Sequence, residues 1–170
     1  VSMLAIDSGA ICKAEGGVLS PAEKLVGRDP DFIVVGLGGF DVNDNETASQ
    51  LEFQAKFQKR IWLFKPQVGA FFTTKSGFYA YGGGSMDWFF GRRYVVSPSF
   101  GAGWYQKGDG KELGGVLQFR SAIEIAYRLR SRGRVGLQVG HLSNASIFED
   151  NPGTEFAILN YSIPTDVFSR

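Results

Sequence analysis

The 170-residue chain has a single cysteine, Cys12, and a single histidine, His141. A lone cysteine allows no intrachain disulfide, and without a Cys/His cluster no thiolate metal site is available, so neither staple can explain the fold. An excess of one charge is also lacking: 18 Lys and Arg stand against 17 Asp and Glu, with the signs mixed along the chain. That balance leaves no electrostatic footprint for a nucleic-acid partner. No run of about 18 apolar residues occurs, which excludes an ordinary transmembrane helix and leaves a membrane barrel open. The length suits one domain and argues against a second.

What the chain does have is 23 glycines together with 15 Phe, 6 Tyr and 3 Trp. This mixture is poor for helices and suits strands with crowded interiors and interfacial rings. The opening VSMLAIDSGAICKAEGG has no initial Met, basic n-region or sustained apolar core, and reads as a processed or truncated start. Its Ser8-Gly9-Ala10-Ile11-Cys12 resembles a lipoprotein cleavage site except that Ile11 is bulky where a small residue is needed. Residues 1–30 are expected to be a mostly polar lead-in, and 31–170 the barrel domain.

From Asp31 onward the pattern has period two. In LEFQAKF, Leu51, Phe53, Ala55 and Phe57 share one face, opposite Glu52, Gln54 and Lys56. In LQFRSAIEIAYRL, Leu117, Phe119, Ser121, Ile123, Ile125, Tyr127 and Leu129 oppose Gln118, Arg120, Ala122, Glu124 and Ala126. A soluble sandwich alternates too, so length has to discriminate. The second stretch exceeds a dozen residues, longer than an ordinary strand and enough to cross a bilayer at a tilt. Turn signals then divide the chain into eight strands at about 31–41, 48–58, 63–73, 77–90, 94–106, 113–130, 134–144 and 154–164. The fold class expected is all-β: an eight-stranded antiparallel transmembrane β-barrel of the outer-membrane type.

The connections support two unlike ends. Those around Lys59-Arg60, Gly91-Arg92-Arg93 and Ser131-Arg132-Gly133 are short and basic, whereas DVNDNET, QKGDGKE and SIFEDNPG are mostly longer and more acidic. Rings cluster near both sets: Trp62, Phe64, Trp88, Phe89, Phe90, Tyr94 and Tyr127 near the first, and Phe40, Phe78, Tyr79, Trp104 and Tyr105 near the second. They are expected to form two aromatic girdles.

The single histidine lies in GHLSNASIFEDNPGTE, residues 140–155. Strand parity puts Val135, Leu137, Val139, His141 and Ser143 on the lipid-facing row, and Glu155 opens the next strand on the face it shares with Ala157, Leu159 and Tyr161. If the two strands pair as a hairpin, three polar groups converge at the rim. A serine hydroxyl attacks well only when a base accepts its proton and a carboxylate orients that base, so these residue types suit acyl transfer. By spacing alone, a triad and a polar rim cluster are both open.

His141-x-Ser143-Asn144, followed by Asn151-x-Gly153-x-Glu155 and a final amphipathic strand, resembles the active-site signature of the PagL-type lipid A 3-O-deacylases. The resemblance implies a bacterial outer-membrane esterase that removes the 3-O-linked acyl chain of lipid A, uses no metal or cofactor, and takes lipopolysaccharide as its partner. Ser143 would be the nucleophile, His141 the general base and then acid, and Glu155 the orienting carboxylate. Asn144, Asn151 and Gly153 would position substrate or the oxyanion. Ser146 departs from the pattern, standing where glycine is expected, and the chain closes on DVFSR rather than on an aromatic residue. A homodimer is left open. The competing class is a non-catalytic small barrel acting as an anchor or interaction surface; a third is a soluble lipid-binding barrel with its apolar faces inward.

Overall fold

The computed structural model of the chain describes residues 29–43 and 47–169, so the lead-in expected over 1–30 lies almost wholly outside the described residues. Nine strands follow one another: β1 (Phe32–Phe40), β2 (Ala48–Lys56), β3 (Lys65–Thr73), β4 (Phe78–Ser85), β5 (Trp88–Phe90), β6 (Tyr94–Gln106), β7 (Leu117–Arg128), β8 (Arg134–Ser143) and β9 (Thr154–Pro164). A 3-10 turn over Thr165–Ser169 follows β9, and no α-helix occurs among the described residues. All neighbours are antiparallel, β1 pairs with β9, and a pairing of β4 with β6 closes the sheet on itself.

β4 and β5 are two pieces of one stave. Ser85 pairs with Ser99 and Trp88 with Val96, so the register against β6 is continuous across the gap. Met86 donates its N–H to the Pro98 carbonyl at 3.0 Å, but Pro98 has no N–H to return, and the ladder lapses there. The barrel therefore has the eight staves expected from the turns, with the fourth interrupted. One strand begins later than expected: 113–116 belongs to the connection before β7.

The period-two pattern divides inside from outside. Ile33, Leu37, Phe53, Val68, Phe100, Ile125, Leu137 and Leu159 are exposed on the outer wall, while Glu52, Gln54, Lys56, Arg120, Glu124 and Gln138 are buried in the lumen. Apolar outside and charged inside is the arrangement of a barrel whose surrounding solvent is lipid, which removes the soluble lipid-binding reading. Arg120 and Glu124 do not pair with each other; Arg120 bonds Glu52 at 3.1 Å and Glu124 bonds Lys56 at 2.5 Å, both partners on β2. Gln138 extends the first pair, accepting from Arg120 at 2.8 Å and from Gln54 at 3.1 Å.

The lumen is packed along its length. At the end of the longer loops Phe40, Phe71, Tyr79 and Tyr105 form an apolar plug with Leu113, Leu142 and Phe156. This corrects the girdle expected there: Phe40, Tyr79 and Tyr105 point inward, and only Phe78 and Trp104 face outward, joined by Phe72. Phe78-Tyr79 and Trp104-Tyr105 are adjacent pairs, and successive strand side chains take opposite faces. At the turn end, Asp29 bonds both Arg128 and Arg134, and Arg134 also reaches Asp87 at 3.0 Å. Trp62, Trp88, Tyr94 and Tyr127 stay exposed on the outside of that end, as expected.

Candidate active site

β8 and β9 bring the histidine stretch together where they leave the apolar belt. The hairpin register sets His141 directly opposite Glu155, and the ring Nδ1 lies 3.1 Å from Glu155 Oε1. Both side chains are half-exposed on the outer wall. With the proton on Nδ1, the Glu155 contact holds the ring in the tautomer that leaves Nε2 bare. Ser143 stands two residues further along the same face, its Cβ about 7 Å from that of His141 by strand geometry. Its hydroxyl makes no hydrogen bond among the described residues. The hairpin thus joins His141 to Glu155 and leaves Ser143 on the same edge, unjoined to the ring.

Two neighbours fix this pair. Gly153 has φ +60°, and a Cβ there would meet His141 Cε1 at 2.7 Å and Nε2 at 3.0 Å. Only a residue without a side chain lets the chain enter β9 while lying against the imidazole. On the other side Asp41, buried at the end of β1, accepts from Thr154 Oγ1 at 2.7 Å, and Val42 N–H donates to the Glu155 carbonyl at 3.2 Å. Lys111 reaches Asp41 at 3.2 Å, tying the loop after β6 to the same point.

Asn144 is buried and organises the connecting loops. Its Nδ2 donates to the Leu113 carbonyl at 3.0 Å and the Asp150 carbonyl at 2.6 Å, while Oδ1 accepts from Ser146 N–H at 2.9 Å. Its own N–H donates to Asn151 Oδ1 at 2.9 Å. Asn151 is exposed, and its Nδ2 has one long contact, 3.4 Å to Ser146 Oγ. The Ala145 N–H has no partner among the described residues.

The departure at Ser146 has a structural reading. Ala145 and Ser146 have φ of 53° and 58°, and Ile147 N–H donates to the Asn144 carbonyl at 3.1 Å, the pattern of a type I′ turn. Such central positions favour glycine, and an L-residue in this region costs about 1–2 kcal/mol. Ser146→Gly is therefore expected to slow amide exchange across 144–153 by roughly fivefold or more, if that strain governs local opening. Unchanged exchange would mean that contacts elsewhere set the loop's stability.

An apolar groove of about 590 Å³ runs down the outer wall from His141 and Glu155, lined by Val42, Pro98, Ser121, Ile123, Val139 and Ala157 among others. Ser121 sits opposite His141 on β7, a small side chain in an otherwise apolar outward row, and makes room between Phe119 and Ile123. Neither Ser121 nor Asp41 was singled out from the sequence. For Ser121 the signal was its break in the apolar row; Asp41 offered none, since its partners Thr154 and Lys111 are remote in sequence.

Residues 39–164 match the family described as PagL, lipid A 3-O-deacylase. The lipid A deacylase PagL of Bordetella bronchiseptica is 32% identical over 77 residues, 44% of this chain and 43% of that protein. The aligned stretch thus spans less than half of that relative's length. The crystal structure of the outer membrane enzyme PagL superposes with a TM-score of 0.65 at 19% identity, covering 79% of this chain and 99% of that one, which shows the shared barrel. With a family match across most of the barrel, the site-bearing hairpin included, the chain belongs to the PagL lipid A 3-O-deacylase family.

Proposed function

We propose that this protein is an outer-membrane esterase that hydrolyses the 3-O-linked acyl chain of lipid A, with Ser143 as nucleophile, His141 as general base and Glu155 as the carboxylate that orients it. The observation that carries the reading is the His141–Glu155 contact at the mouth of an apolar groove on a lipid-facing wall. A water-soluble substrate would have no reason to meet a site there, whereas a lipid arriving sideways in the leaflet lays its chain along Val139, Ile123 and Ala157 while its ester lies at the rim.

In this mechanism Ser143 Oγ attacks the acyl carbonyl as His141 Nε2 accepts its proton, and the imidazolium is stabilised by Glu155. The tetrahedral intermediate collapses, the sugar 3-oxygen leaves with the proton from His141, and water activated by His141 then releases the fatty acid and restores Ser143. The oxyanion needs donors already in place. Both amide hydrogens of Asn144 are committed to loop carbonyls, so that side chain serves to hold the loop. The Ala145 N–H and the Asn151 amide are the donors left for the oxyanion.

The direct test is mass spectrometry of lipid A incubated with the detergent-solubilised protein. Loss of one 3-linked hydroxyacyl chain is expected; no loss from several lipid A types with a correctly folded barrel would favour the anchor. Gly153→Ala probes the ring. The added methyl has to push the imidazole aside, and a displacement near 1 Å can cost roughly a hundredfold in rate, so kcat is expected to fall by about that factor while the barrel still folds. A rate near that of the unmodified protein would show that the ring has room to shift without harm.

A further inference from the structure

A second groove lies on the outer wall where β3, β4 and β6 meet, separate from the His141–Glu155 pair; β4 is separated from β8 by β6 and β7 in one direction and by four strands in the other, and the two grooves share only β6. It measures about 730 Å³ and is lined by Ile61, Trp62, Phe64, Gly82, Phe100 and Ala102 among others. Its floor is bare because Gly82 faces Ala102 and Gly84 faces Phe100 across the β4–β6 ladder. One wall is Phe100; the other is a tight apolar hairpin in which Ile61 and Phe64 exchange backbone hydrogen bonds at 2.8 and 3.2 Å. Phe64 folds onto Gly84, where a Cβ would meet its Cβ at 3.0 Å, and Trp62 projects at the tip, 83% exposed.

Gly82 differs from its neighbours. A Cβ at Gly83 would strike the Phe100 carbonyl oxygen at 2.1 Å, but one at Gly82 would meet only Val68 Cγ1, at 4.0 Å. Neither a positive φ nor protein packing calls for glycine there, and a bare strand position weakens the strand unless something else approaches the backbone closely.

The chemistry at the turn end says what that is. Lys59 and Arg60 lead into the hairpin and, with Arg92 and Arg130 in the other turns, are exposed at this end with no acidic partner among the described residues. Trp62, Trp88 and Tyr94 mark the same level as the interface between tails and headgroups. We infer that this groove holds one acyl chain of an anionic phospholipid from the leaflet at the turn end, its phosphate against Lys59 and Arg60 and its tail over Gly82 and Ala102. A second copy of the chain fits less well: a twofold contact through this face would set the basic rim against itself, and the projecting Trp62 would hold the two walls apart. Between lipid tails there is no hydrophobic driving force, so retention comes from close packing in the groove and selectivity from the cations.

The test is native mass spectrometry of the purified barrel in neutral detergent with equal amounts of phosphatidylglycerol and phosphatidylcholine of matched chains. One phosphatidylglycerol is expected to remain bound to the unmodified protein in preference to phosphatidylcholine. Gly82→Phe, whose Cβ meets nothing nearer than Val68 Cγ1 at 4.0 Å and whose ring takes up the space over the floor, is expected to lose the bound lipid of either kind and to keep the lipid A activity of the unmodified protein. Arg60→Gln is expected to keep a lipid but lower the preference for phosphatidylglycerol by roughly fivefold, the effect of one cation near an anionic surface. Circular dichroism and heat-dependent gel migration confirm that each variant is folded. Equal retention of both lipids by the unmodified protein overturns the proposal, as does unchanged retention in folded Gly82→Phe. A dimer that dissociates in Gly82→Phe, with no lipid bound to either protein, overturns it in favour of contact between copies.

Discussion

Ser143→Ala is expected to abolish release of the 3-linked acyl chain, with a fall of about a thousandfold or more, while the barrel assembles as before. Ser143 lies on the outer wall and makes no hydrogen bond among the described residues, so removing its hydroxyl disturbs nothing in the fold. His141→Ala is expected to do equal harm, because nucleophile and base act as a unit and losing either removes the step they share. Glu155→Ala is expected to keep a residual activity above both, since in the proposed triad the carboxylate only orients and stabilises the ring that it meets at 3.1 Å. Mass spectrometry of lipid A over a time course separates the three. Full activity in Ser143→Ala or His141→Ala would remove the proposed triad, and attention would pass to Ser121, which faces His141 from β7.

The second large effect concerns stability. Glu52→Ala is expected to destabilise the barrel by about 3–5 kcal/mol, because it strands a buried charge. Arg120 is 1% exposed and has Glu52 as its carboxylate partner, while its guanidinium stacks between the rings of Tyr81 at 4.8 Å and Phe156 at 4.5 Å. Glu52 also accepts from Gln50, Gln54 and Tyr81, so its loss leaves several donors unmet as well. Arg120→Leu in the Glu52→Ala background should recover part of the loss, since an apolar pair at this site holds no orphaned charge. Urea unfolding in micelles, run as a double-mutant cycle, measures both. A single-variant loss below about 1 kcal/mol would mean that water enters the lumen and solvates Arg120.

The outward rows were legible in the sequence because a strand writes its two faces as alternate letters, and LEFQAKF and LQFRSAIEIAYRL do so with Ser121 as the one polar letter in the outward row. Alternation says which residues share a face but not how rings near a strand end divide between lumen and lipid, hence the misplacing of Phe40, Tyr79 and Tyr105. The break in the fourth stave was hidden for a different reason: it is caused by Pro98, which lies on the next strand. Pairs such as Lys56 with Glu124 close across the lumen, 68 residues apart, and follow from barrel closure rather than from local pattern. At the site, the His141–Glu155 contact was readable once a hairpin was assumed. The role of Asn144 was not, because an asparagine that locks a loop and one that donates to an oxyanion look the same in one dimension.

The groove beside His141 opens sideways into the membrane rather than upward into water. On the proposed activity, encounter is then a lateral, two-dimensional search, and the quantity that sets the rate is the mole fraction of lipid A in the surface, not its concentration in the bulk. Adding inert detergent or phospholipid at constant total lipid A should slow turnover by surface dilution, and a membrane crowded with lipid A would drive the reaction without any change in the protein.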